Sequence, residues 1–106
     1  MSTKTLVPRH LEFHELEPLV GQTFLADCDP KPVPLQLVEA RPVRMTGSII
    51  RPQFTLIFRS APSALLVAGI YTMRCGLFGP EMIYIAPTMA PIGVVEAGHY
   101  YQAAFS

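Results

Sequence analysis

The side chains best suited to chemistry here are two histidines spaced four apart, a cysteine between two aspartates, and a few tyrosines. His10 and His14 would share one face of a helix, with Glu12 and Glu15 close by. Two imidazoles so placed can hold a metal ion, but a structural or catalytic centre needs at least one more ligand, and the glutamates project at other angles. No His-Glu-x-x-His spacing occurs, so no metal site is assigned and a solvated polar helix face is expected. Cys28 lies between Asp27 and Asp29. A nucleophilic thiolate needs a nearby base or a helix N-terminus to lower its pKa. His99 is the only imidazole in the β region, and nothing in the sequence brings it to Cys28, so a buried or strand-end thiol is expected. Asp27-x-Asp29 precedes a proline-rich turn and begins like a hard-cation loop, without the remaining oxygen ligands.

A glycine-rich phosphate loop, a Gly-x-Ser-x-Gly elbow and a basic stripe interleaved with aromatics are all missing from the sequence. An enzyme is therefore not expected, and no cofactor is implied. Tyr71, Tyr84 and Tyr100 would be able to stack a sugar or a base at the mouth of a barrel. That arrangement is the alternative function, a small-ligand or carbohydrate-binding module.

Two other segments are conspicuous for lacking chemistry. Ala64-Leu65-Leu66-Val67 and Ile92-Gly93-Val94-Val95 fall where loops between strands are expected, and loops are ordinarily polar. Either they fold back to cap the end of the domain, or they project as apolar tips that dock on a partner. Leu65, Leu66, Val67, Ile92, Val94 and Val95 are accordingly the expected contact residues.

The elements that would carry these residues follow from proline and from periodicity. Eleven prolines exclude long helices across most of the chain, since each costs about 3 kcal/mol in a helix interior. Arg9 to Leu19 is the one helical segment, with Phe13, Leu16 and Val20 forming a stripe and Gly21 a stop, which predicts two to three turns within residues 9–20. Period-two patterning then takes over. Strands are predicted at Thr23 to Asp27, Val33 to Ala40, Gln53 to Arg59, Gly69 to Arg74, Leu77 to Ala86 and His99 to Phe105. Phe54, Leu56 and Phe58 point one way and Thr55, Ile57 and Arg59 the other. Pro34 cannot donate to a ladder, so its strand is predicted to begin late or to lie at an edge. Arg41 to Ser48 reads as a connection. The whole chain is one mainly β domain, a small antiparallel barrel or sandwich of five to seven strands with one short N-terminal helix.

Composition points the same way. A chain of 106 residues has room for one core, burying roughly 65% of its unfolded surface, and half of its residues are apolar. Its net charge is zero, which excludes the basic field that nucleic acid requires. Only 15% of residues are charged, where about 25% is usual, although a small domain has proportionally more surface to keep wet. That deficit predicts that part of the surface is covered, by another protein or by self-association. No apolar run approaches the roughly 20 residues of a membrane-spanning helix, so no membrane insertion is expected. Lys4 is followed by Leu6-Val7 and then Pro8-Arg9-His10 rather than by an apolar stretch, so no signal peptide is read and a cytoplasmic location is expected. Cys28 and Cys75 fit reduced thiols there better than a disulfide framework.

Several stretches also resemble a known family. Glu17 to Phe24 (EPLVGQTF), Phe54 to Arg59 (FTLIFR), Gly69-Ile70-Tyr71, Ile85-Ala86-Pro87 and Tyr101 to Phe105 (YQAAF) recur in that order in a small bacterial family of unknown function. The likeness spans nearly the whole chain. It departs at Ser60-Ala61-Pro62, where the family carries Gly-Pro directly after Phe-Arg, and at Ala68, where the family favours Gln. Genes of this family often stand beside those of phage-tail-collar-like (microcystin-dependent-protein-like) proteins. The resemblance implies a structural or interaction role beside a tail- or fibre-like assembly, and it brings no catalytic residues with it.

Overall fold

The computed structural model describes residues 10–43 and 53–105. The expected Arg9 start of the helix, the residues around the predicted leaderless N-terminus, and the 44–48 part of the predicted connection lie outside the described residues. Six strands follow a short helical segment: β1 (Thr23–Ala26), β2 (Val33–Pro42), β3 (Phe54–Ser60), β4 (Gly69–Cys75), β5 (Phe78–Thr88) and β6 (His99–Phe105). They close into a barrel in the order β1-β2-β3-β6-β5-β4, every neighbour antiparallel. The short β1 joins β4 through Leu25 opposite Arg74 and Ala26 opposite Met73.

The helix is shorter than its stripe predicts. Glu12 is the N-cap in an extended conformation, and its N–H donates to the Glu15 carboxylate at 2.8 Å, so α1 begins at Phe13 and spans only Phe13–Leu16. Pro18 then tightens the backbone into a 3₁₀ turn, Glu17–Leu19, because its ring is tolerated only in a first turn. Leu16, wholly buried, and Phe13, edge-on to Phe54, anchor this segment to the barrel. None of the described helices is long and apolar enough to cross a membrane.

Alternation along the strands builds the core. Phe24, Leu35, Leu37, Phe54, Leu56, Phe58, Met73, Ile83, Ile85 and Tyr101 are all fully buried inside the barrel. Phe24 meets Phe58 edge-on at 5.3 Å, and Phe54 stacks on Phe105 at 4.7 Å. Strict period two from Leu35 and Leu37 would drive Glu39 into this core. A bulge between Leu37 and Glu39 prevents it by adding one residue, Val38, so that Glu39 lies opposite Ile57 and pairs with Arg41 while Ala40 turns to Leu56.

Pro34 corrects another expectation. A closed barrel has no edge, and the strand starts at Val33 with Pro34 opposite Leu25. The Leu37 N–H donates to the Gln22 carbonyl, so by alternation Pro34 belongs to a non-hydrogen-bonded pair with β1. Its nitrogen faces the β3 side, where pairing begins only at Gln36, and no ladder bond is lost.

Candidate interaction surface

The β3–β4 loop (residues 61–68) and the β5–β6 loop (residues 89–98) leave the same end of the barrel, because Ser60 pairs with His99 and Gly69 with Ile85. The β1–β2 turn also lies at this end. Both long loops are pinned by hydroxyls from the strands beneath them. Tyr101 Oη accepts the Leu66 N–H at 3.0 Å, Ser60 Oγ donates to the Ala64 carbonyl at 2.5 Å, and Tyr71 Oη donates to the Val67 carbonyl at 2.7 Å. In the second loop, Tyr100 Oη donates to the Glu96 carbonyl at 2.9 Å, and Arg59 Nη1 donates to the Ala97 carbonyl at 3.1 Å. His99 Nε2 lies 3.1 Å from the Pro62 carbonyl and ties one loop to the base of the other.

This frame divides the six expected contact residues. Leu65 and Val67 stand 67% and 74% exposed, and Ile92 and Val95 are almost entirely so. Met89 joins them, although its sequence context gave no reason to single it out. Val94 is half-buried, its N–H turned back to the Pro91 carbonyl. Leu66 is the exception: at 9% exposed it belongs to the core, closing the end of the barrel. The β3–β4 segment therefore does both things that stood as alternatives. Its central leucine caps the barrel, and the two flanking side chains project.

Tyr71, Tyr84 and Tyr100 lie on three different strands, β4, β5 and β6. The hydroxyls of Tyr71 and Tyr100 are spent on loop carbonyls, Tyr100 is itself buried, and Tyr84 points outward from β5 opposite Ile70.

His10 and His14 do not share a helix, because only Phe13–Leu16 is α-helical and His10 precedes the N-cap. Among the described residues, no group of three or more His, Cys, Asp or Glu side chains could hold a metal ion. Asp27 is engaged by Arg74 Nη2 at 2.7 Å across the β1–β4 seam. Burial pushes the Cys28 thiol above its ordinary range, and the carboxylates of Asp27 and Asp29 push it further, which opposes thiolate formation. Cys75 is also raised by burial, and both cysteines are free.

One feature escaped sequence reasoning. Arg59, an outward residue of β3, borders a pocket of about 210 Å³ lined also by Thr23, Pro34, Gln36, Ala61 and Ala64. Its Nη2 donates to Gln36 Oε1 at 2.9 Å and lies 3.5 Å from the Glu96 carboxylate. The alternation of β3 marks Arg59 as facing outward, but no local pattern announces partners from β2 and from the β5–β6 loop.

No curated protein and no solved structure matches the sequence. A family model does match, over residues 11–105, which takes in the helical segment, all six strands and both pinned loops. The protein therefore belongs to the family described as a domain of unknown function, DUF6916.

Proposed function

We propose that this domain is a non-enzymatic interaction module that docks on another protein, or on a second copy of itself, through the apolar loop tips at one end of the barrel. The observation that carries this reading is the exposure of Leu65, Val67, Met89, Ile92 and Val95 on loops that are held rather than free. Exposed apolar side chains on hydrogen-bonded loops lose little conformational entropy on docking, so their burial translates more fully into affinity. The low charge of the whole protein supports the same reading, since a surface poor in ions is cheap to desolvate. The finer form, a subunit or partner of a phage-tail-like assembly, rests on the family resemblance alone.

The test is a native mass measurement of the purified domain, alone and with proteins encoded beside it. Leu65→Asp combined with Ile92→Asp should abolish any complex formed by the parent and leave its thermal midpoint within a degree or two. A complex that survives the double substitution overturns the reading.

A further inference from the structure

We propose that the pocket beside Arg59 is a carboxylate-binding site in which Glu96 acts as an intramolecular stand-in. Thr23, Gln36 and Arg59 form one row across β1, β2 and β3 on the outside of the barrel. The Arg59 side chain is only 21% exposed, so its charge is largely withdrawn from water. A guanidinium presents five N–H donors. Ala97 and Gln36 accept one each, at 3.1 and 2.9 Å, and the buried Nε has no acceptor among the described residues. The Glu96 carboxylate stays 3.5 Å away from Nη2, outside the roughly 2.7–2.9 Å of a charge-assisted hydrogen bond, and is itself mostly in solvent. A cation this covered, with so loose a counter-ion, gains from a close and planar anionic partner.

The walls of the pocket narrow the class of ligand. Among the described residues that line it, Arg59 is the only cation, which suits a singly charged carboxylate better than a phosphate dianion. The Thr23 hydroxyl and the Gln36 amide offer further hydrogen bonds, and Pro34, Ala61 and Ala64 give an apolar wall for a short carbon stem. An acidic side chain and the terminal carboxylate of a polypeptide share this chemistry. The pocket's affinity for a carboxylate stands on its own geometry, and only the idea that a docking protein supplies that group rests on the interaction reading.

The experiment is a titration of the intact, isotope-labelled protein with sodium propionate, followed by two-dimensional NMR. Propionamide and sodium chloride at the same concentrations serve as controls. Saturable shifts at Gln36, Arg59, Ala61 and Ala64 with propionate alone are expected. Glu96→Gln should tighten propionate binding by about two- to five-fold, as expected for removal of a competing exposed ion pair. Arg59→Gln should abolish it, and if that variant does not fold, Glu96→Gln and the propionamide control decide the matter. A capped peptide with an internal glutamate and a peptide with a free terminal carboxylate then identify the source, by which of them displaces propionate. Equal shifts with propionamide or chloride, or an affinity untouched by Glu96→Gln, overturn the proposal. Failure of the loop-tip variants with intact propionate binding would overturn the docking surface and spare the pocket.

Discussion

The hydroxyl of Tyr101 lies 2.9 Å from Ser60 Oγ, and between them these two buried side chains hold the loop that closes the barrel. Tyr101 Oη takes the Leu66 N–H, and Ser60 Oγ reaches the Ala64 carbonyl. The Ser60 hydroxyl thus serves two partners at once, the buried Tyr101 hydroxyl and the part-buried Ala64 carbonyl. Tyr101→Phe keeps the ring and orphans the Leu66 N–H, which should cost about 1–3 kcal/mol. Urea denaturation should show a lower midpoint at an unchanged slope. Ser60→Gly should act in the same direction.

Leu66 and its neighbours should part company under substitution. Leu66→Asp buries a carboxylate in the apolar cap and should destabilise the domain by on the order of 3 kcal/mol or more. Leu65→Asp and Val67→Asp should each stay within about 0.5 kcal/mol of the parent. Equal losses at all three positions, in a thermal melt, would show that the projecting side chains are packed after all.

Two glycines are held in place by backbone. Gly79, at φ 91°, sits at the β5 bulge, where an added Cβ would lie 2.5 Å from the Met73 carbonyl oxygen. Gly98, at φ 144°, would drive a Cβ into the Ser60 carbonyl. Gly93, at φ 88°, has nothing within 4 Å. Alanine at Gly93 should therefore cost only about 1 kcal/mol for its conformation, and alanine at Gly79 or Gly98 should cost clearly more. Denaturation midpoints for the three variants give the order directly.

The thiols make the fold sensitive to alkali. Folding raises the Cys28 pKa through burial, Asp27 and Asp29, and the Cys75 pKa through burial. The folded state thus favours the protonated thiol. Its contribution to stability is whole below the ordinary thiol pKa of 9.0 and drains away as pH rises past that value. Tyr71, raised chiefly by burial, adds to the loss above 10.0. Stability measured from pH 7 upward should decline accordingly. Alkylation of Cys28 at pH 8 should be slower in the folded protein than in urea, and Asp29→Asn should speed it.

The local pattern of residues determined the strands. Alternation in Phe54-Thr55-Leu56-Ile57-Phe58 and in Tyr101-Gln102-Ala103-Ala104-Phe105 places each inward residue where it is found, because a strand with one buried face leaves period two little freedom. Proline spacing likewise excluded long helices, a purely local effect. The short N-terminal helix was legible too, but its start was not: Leu11 and Phe13 are needed by the barrel whether or not the backbone between them is helical. Closure into a barrel rather than a sandwich, the bulge that turns Glu39 outward, and the split of Leu66 from Leu65 and Val67 were decided only in three dimensions. So was the Arg59 pocket, assembled from Thr23, Gln36 and Ala64 on separate elements, with Glu96 set 3.5 Å from the guanidinium. Each depends on partners far apart in sequence, and spacing along one strand carries no information about which residue arrives from another.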